Sequence, residues 1–256
     1  MLDLDGARAA IRREMSAAIG ELEGIDAAGW AHPTPCHDWM VADLVAQLTW
    51  GQRLEAQGVE GLATGRTVAV DVPRVPVAAP DVLLAGLRTA HEDLWAHLTA
   101  RTPDDLDRMA PMPYGVLPLG LFLQVITMEV GVHHSDLRTA IGLDGALAPD
   151  VVRATAAFLA AFLPVIAGGG ARPARPVTYR LAGRQGNVDL AVVWDGDAWS
   201  AGIGHTVDGE ATVTLSGDDS DVCLFVLGRT ALADAELLVE GDPDTAAAFQ
   251  EFVPGP

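Results

Sequence analysis

The 256-residue sequence contains no lysine and only two cysteines, and both features restrict what the protein can be. Its sixteen basic residues are all arginines, and they stand against thirty-five acidic residues, so the formal net charge is −19. A chain this acidic, without a local cluster of basic residues, is repelled by nucleic-acid phosphates and by anionic membrane surfaces. We therefore expect no nucleic-acid or membrane partner, and we expect a small molecule as the ligand.

The two cysteines, Cys36 and Cys223, are far apart in the sequence. They form neither a disulfide framework nor a cysteine-rich zinc site. The N-terminus is charged and amphipathic, and no stretch of about twenty apolar residues is evident elsewhere. These features predict a soluble, cytoplasmic protein, and they leave its oligomeric state open.

Apolar residues recur at helical intervals over the first 165 residues, whereas later segments alternate in twos between short turns. The pattern predicts an α plus α+β fold. A helical bundle with one additional helix is expected over residues 1–168, and a small α+β domain over residues 172–256. The predicted segments are a first helix ending at Gly24, a second capped by Asp38, a loop at 58–80, helices at 81–100, 117–141 and 150–166, a turn at 111–115, and strands within 177–183, 187–194, 211–217 and 236–240.

Glu129 and His133 are four residues apart on the fourth predicted helix, so both project from the same face. That face is otherwise apolar, and burying a charge there is costly unless it is paired or bound to a metal. Asp136 shares the face and is placed to orient the imidazole. Two interpretations stay open: a paired polar group in the bundle core, or part of a metal site.

Gln47 lies on the apolar stripe of the second helix, where a polar side chain needs a partner. With Glu129 and His133 it would supply three donors from facing helices, as catalytic zinc sites do, although an amide oxygen is a poor zinc ligand. His91 on the third helix is either a further ligand or a hydrogen-bonded core residue. His134 points about 100° away from His133 on an ideal helix, and we expect it at the surface.

Cys36, at the entry to the second helix, is either a reactive thiol favoured by the helix dipole or a packed small residue. The sequence contains no GxSxG, HExxH or GxGxxG motif. Hydrolase and dehydrogenase functions therefore lack their usual support.

Two segments resemble the mycothiol-dependent maleylpyruvate isomerase family and its paralogues, which have a DinB-like four-helix N-terminal domain. They are WAHPTPCHDWMVADLVAQLTWG at residues 30–51 and PYGVLPLGLFLQVITMEVGVHHSDLRTAIG at residues 113–142. The segment at 211–249 is similar to the family's C-terminal domain, which has a sterol-carrier-protein-like α+β fold. The resemblance thus implies a DinB-like bundle followed by a sterol-carrier-like domain.

The resemblance also implies a site. In the family a divalent metal, usually zinc, is held by a histidine of helix two and by the Glu and His of an E-x3-H motif, which Glu129 and His133 match. Gln47 occupies the position of the helix-two histidine. The resemblance further implies mycothiol or a similar thiol as cofactor, and it assigns Arg229 to binding of an acidic substrate.

Three hypotheses follow from the resemblance and from the departure at Gln47. The first is a thiol-dependent metalloenzyme that acts on a small electrophile by isomerisation or S-transfer. In the second, loss of the helix-two histidine has abolished metal binding and left a ligand-binding or regulatory protein. The third is a metal-free enzyme that has repurposed the same scaffold.

Overall fold

Four long helices form the first part of the chain in the computed structural model, which describes residues 1–64, 72–112, 115–204 and 211–255, with only the backbone at 63 and 64. The helices are α1 (Leu4–Gly24), α2 (Val41–Thr64), α3 (Pro80–Thr99) and α4 (Leu119–Ala140). Each helix turns an apolar stripe inward, and the fully buried members include Ile11, Leu44, Leu87 and Phe122. The predicted four-helix bundle is confirmed.

The ends of α2 differ from the prediction. Asp38 adopts a positive φ of 61° in the turn before the helix, so α2 begins three residues later, at Val41. The N–H of Met40 donates to the carboxylate of Asp43 instead. At its other end α2 continues through Thr64, into the segment predicted as a loop. Residues 65–71 of that loop lie outside the described residues.

A short hairpin precedes α4 where a turn was predicted. It consists of β1 (Met109–Met112) and β2 (Gly115–Pro118), which pair antiparallel, while residues 113 and 114 are not described. Near this hairpin α2 and α4 approach each other at Gly58. A Cβ on Gly58 would lie 2.8 Å from the Phe122 ring and 2.9 Å from the carbonyl oxygen of Pro111, so only glycine fits without displacement.

The second part of the chain contains a five-stranded sheet with the order β5-β4-β3-β6-β7. Strands β3 and β6 pair parallel, and the other neighbours pair antiparallel. The strands are β3 (Val177–Gly183), β4 (Asp189–Trp194), β5 (Trp199–Ile203), β6 (Val213–Gly217) and β7 (Leu238–Gly241). The helices are α5 (Pro149–Ala167), α6 (Asp219–Val226), α7 (Pro243–Ala247) and α8 (Phe249–Phe252). The predicted α plus α+β fold is confirmed.

The chain divides into two units, Met1–Gly145 and Ala146–Pro256, rather than near residue 170. The difference arises because α5 packs against β4, β5 and α6 and so belongs with the sheet. By length and composition, α5 is also apolar enough to cross a membrane, and it is the one helix of the described residues that meets this criterion. This differs from the sequence expectation that no such stretch exists.

Candidate functional site

Glu129 and His133 lie one turn apart on α4, as the sequence predicts. The Nε2 atom of His133 is 3.4 Å from Oε2 of Glu129. The His133 side chain is only 8% exposed, whereas that of Glu129 is 40% exposed, so the carboxylate end of the pair is accessible to small solutes. The pair therefore joins a buried imidazole to an accessible carboxylate.

The other ring nitrogen of His133 faces a second carboxylate. Its Nδ1 atom lies 3.0 Å from Oδ2 of Asp136, a residue with no exposed surface. The thiol of Cys36 donates to the same carboxylate oxygen over 3.1 Å, and its sulfur is 4.0 Å from Nδ1 of His133. Asp136 thus orients His133 as expected, and Cys36 joins the cluster.

The turn before α2 carries Cys36 to this position. The hydroxyl of Thr34 accepts a hydrogen bond from the backbone N–H of Cys36, and Pro33 forms a β-bridge with Met40 across the turn. The ring of Trp39 packs against the His133 ring at a centroid distance of 6.0 Å. Local hydrogen bonds of this segment therefore fix the backbone of Cys36 next to α4.

The polar contacts decide the charge of His133. Burial opposes the charged imidazolium, but the hydrogen bonds with Asp136, Cys36 and Glu129 outweigh it and raise the pKa of His133 well above its ordinary value. The His133 imidazolium thus lies between the carboxylates of Asp136 and Glu129, which corresponds to the first of the two interpretations from the sequence, a paired polar group in the bundle core. The same atoms are also donors for a cation once the proton is removed.

Gln47 has a different partner from the one that the metal hypothesis requires. Its Oε1 atom accepts a hydrogen bond of 2.6 Å from Arg74, whose guanidinium lies 3.6 Å from the centre of the Trp50 ring. A guanidinium on the amide oxygen repels a metal cation and competes for the same lone pairs. Gln47 therefore fits poorly as the third ligand, and its assignment stays a prediction.

A second polar group links α2 and α3. The amide of Gln52 donates to Glu55 over 2.8 Å, and its oxygen lies 3.1 Å from Nδ1 of His91. Burial raises the pKa of Glu55 well above its ordinary value, and the charge of Glu129 adds to this. Burial and the charge of Arg12 lower the pKa of His91 to about 4. His91 is thus a neutral core residue hydrogen-bonded to α2.

His134 is buried, so its predicted surface position is wrong. Its two ring nitrogens lie 2.6 Å from Glu14 and 3.1 Å from Glu21, both on α1. The helical period gives the direction of the side chain correctly, but α1 covers that side of α4. His134 therefore ties the two helices together.

Arg229 lies in the second unit, directly after α6 and its C-terminal turn. The side chain is half-buried, and its Nη1 atom donates to the carbonyl oxygen of Leu227 over 2.8 Å. Its assignment to an acidic substrate stays a prediction from the resemblance.

Sequence reasoning missed the contact of Cys36 with His133 and the buried carboxyl of Glu55. Ninety-seven residues separate Cys36 from His133, and no periodicity connects them. Glu55 follows Gln52 by one helical turn on α2, so the polar positions on that helix were a usable signal.

Comparison with known proteins matches a family model to the first unit of the chain. The family model described as the mycothiol maleylpyruvate isomerase N-terminal domain matches residues 11–138. Two uncharacterized proteins of Mycobacterium tuberculosis, MT0763 of strain CDC 1551 / Oshkosh and Rv0738 of strain ATCC 25618 / H37Rv, are each 29% identical over 140 residues. Each alignment covers 55% of this chain and 70% of the relative.

The solved structure of the mycothiol-dependent maleylpyruvate isomerase superposes with a TM-score of 0.68 at 16% identity, over 93% of each chain. A variant of that enzyme with a histidine replaced by alanine gives a TM-score of 0.69 at the same identity and coverage. At this identity the likeness shows a shared fold over nearly the whole length.

Proposed function

Since the chain belongs to the mycothiol maleylpyruvate isomerase N-terminal domain family, we propose that it is a thiol-dependent enzyme acting on a small electrophilic substrate. The reaction is addition of a thiol such as mycothiol to an electrophilic carbon. Elimination after bond rotation gives isomerisation, and retention of the thiol gives S-transfer. A protein of net charge −19 and without lysine suits a small molecule rather than a polyanion.

The observation that carries this proposal is the accessible Glu129 carboxylate joined to the buried His133 imidazole at 3.4 Å. Asp136 fixes the ring through Nδ1, so Nε2 points to Glu129. In this arrangement Glu129 contacts the thiol of the small-molecule cofactor, such as mycothiol, and accepts its proton. His133 holds the Glu129 carboxylate in place. A divalent ion, zinc above all, would supply Lewis acidity that lowers the thiol pKa. Arg229 is proposed to bind a carboxylate of the substrate.

The test is a turnover assay with mycothiol and maleylpyruvate, extended to other small electrophilic acids and other low-molecular-weight thiols. S-transfer is followed by mass spectrometry as loss of free thiol and formation of a thioether. Isomerisation changes neither the mass nor the amount of thiol, so it is followed by chromatographic separation of the isomers. We expect Glu129→Gln and His133→Asn to lower the rate by about 100-fold or more. Glu92→Gln, on the exposed side of α3, is the matched control and keeps the wild-type rate. Absence of turnover with every pair, or full activity of both variants, would refute the proposal.

One observation favours a second candidate function. The hydrogen bond from Arg74 to Gln47 occupies the helix-two position that the family uses for a metal ligand. A metal-free binding or regulatory protein on this scaffold would be stabilised by thiols or small acids in a thermal-shift assay without converting them. Stabilisation without turnover is the result that selects this second candidate.

A further inference from the structure

The donor set that the family resemblance implies is incomplete in this chain. Glu129 and His133 are present on α4, but the amide oxygen of Gln47 is held by Arg74 at 2.6 Å. A cation placed between these residues would have two good ligands and a guanidinium near its third. A complete set of metal ligands at His133 therefore requires donors other than Gln47.

Three donors of different chemistry converge on the opposite side of the His133 ring. Among the described residues, Cys36, His133 and Asp136 form a group whose ligand atoms all lie within 4.8 Å of one another. The three atoms are separated by 3.0 Å for Nδ1 and Oδ2, 3.1 Å for Sγ and Oδ2, and 4.0 Å for Sγ and Nδ1. Tetrahedral zinc bonds of about 2.0–2.3 Å place neighbouring ligand atoms roughly 3.3–3.6 Å apart. The observed separations of 3.0, 3.1 and 4.0 Å lie close to that range on either side.

The surroundings of the three residues favour a retained ion. All three are buried, with exposures of 8% for Cys36, 6% for His133 and 0% for Asp136. A soft thiolate with an imidazole and a carboxylate is a donor set that selects zinc over magnesium or calcium. The backbone N–H of Cys36 donates to the hydroxyl of Thr34, and the thiol donates to Asp136, so Cys36 is held by hydrogen bonds from both its backbone and its side chain. The three donor residues therefore already lie together before an ion arrives, and binding displaces their protons.

We infer that this chain binds a zinc-class divalent ion through Cys36, Asp136 and Nδ1 of His133. In the family pattern Glu129 would be the ligand, and Asp136 would orient the ring of His133. Here the two carboxylates exchange these roles. Asp136 becomes a ligand, and Glu129 becomes the residue that accepts the Nε2–H hydrogen bond and orients the ring. The catalytic meaning of this site rests on the proposed function, but ion binding is measured without turnover.

Cobalt(II) replaces zinc in such sites and reports its ligands through absorbance. We expect the full chain, prepared with a chelator and then titrated with cobalt chloride without oxygen, to bind one ion and to show a near-ultraviolet thiolate-to-cobalt band. Cys36→Ser should abolish the band and weaken binding by at least about 100-fold, whereas Glu129→Gln should keep the band with a loss of about 10- to 100-fold. Cys223→Ala, at the buried cysteine of the second unit, is the matched control and keeps both.

The outcomes separate this inference from the proposed function. Cobalt binding to the wild type without a thiolate band overturns the inference, and this result does not depend on any variant. A thiolate band that survives Cys36→Ser overturns it as well. Failure to bind cobalt or zinc also overturns it. Turnover by metal-free protein would leave the proposed function standing, whereas a bound ion in a protein without turnover would reject the function and keep the site.

Discussion

Asp136→Asn is the most informative single substitution at the site. Asp136 is completely buried and accepts two hydrogen bonds, one from Nδ1 of His133 and one from the thiol of Cys36. The amide that replaces it keeps the shape but loses the negative charge that stabilises the imidazolium. A hydrogen bond to a charged group contributes about 1.5–3 kcal/mol. For metal-free protein at about pH 6, we expect a loss of about 2–3 kcal/mol and a fall in Tm of roughly 5–10 °C.

The pH dependence of this loss gives the sharper test. The pKa of His133 is raised above 6.5 in the folded protein, so its stabilisation is fully present below that value and is lost as the pH rises through the folded pKa. The difference between Asp136→Asn and the wild type should therefore be largest at about pH 6 and should narrow as the pH rises through the folded pKa of His133. Urea denaturation at each pH measures the free energy of unfolding of the wild type and of Asp136→Asn. The comparison is valid if the two proteins have the same m-value.

The control for this substitution is Asp93→Asn, because that carboxylate is 62% exposed and lies 3.7 Å from His97. It should change the free energy of unfolding by less than about 0.5 kcal/mol. The reasoning fails if Asp136→Asn behaves like this control at pH 6, or if the difference from the wild type grows with pH.

Two further predictions concern α2. Glu55 is buried with a raised pKa, so its contribution to stability is present below about 4.5 and is lost as the pH rises through the folded pKa. Glu55→Gln keeps an acceptor for Gln52 and should be more stable than the wild type by about 1–3 kcal/mol at pH 8, with little difference near pH 5. Denaturation at both pH values checks this, and an equal loss at both would contradict it. Gly58→Ala should cost about 1–3 kcal/mol because of Phe122 and Pro111, whereas Gly51→Ala, with no atom within 4 Å, should gain up to about 1 kcal/mol. Chemical denaturation compares the pair, and a Gly58→Ala protein as stable as Gly51→Ala would show that the contact between α2 and α4 is not tight.

Elements with a strong apolar period could be predicted from the sequence. The four bundle helices and strand β3 follow directly from their patterns, and β3 occupies the predicted residues. Strand β5, with the sequence WSAGI, was not predicted because it has no alternation and contains a glycine. It forms because β4 offers a free edge to which its backbone pairs.

The site divides in the same way between local and distant contacts. The Glu129 and His133 pair depends on helical spacing alone, so the sequence is sufficient to predict it. Gln47 and Cys36, by contrast, find their partners in distant parts of the sequence. Gln47 contacts Arg74, and Cys36 contacts the C-terminal half of α4. Helical spacing gives the direction of a side chain, but it does not say what packs against it.

The packing of α5 on the sheet determines how the chain can be cut. A fragment ending at residue 168 would carry an apolar helix without the strands that cover it, and such a fragment is prone to self-association. A fragment ending at Gly145 avoids this and still contains all of residues 11–138, the segment that matches the family. Experiments that ask what the bundle does by itself should therefore be made on residues 1–145.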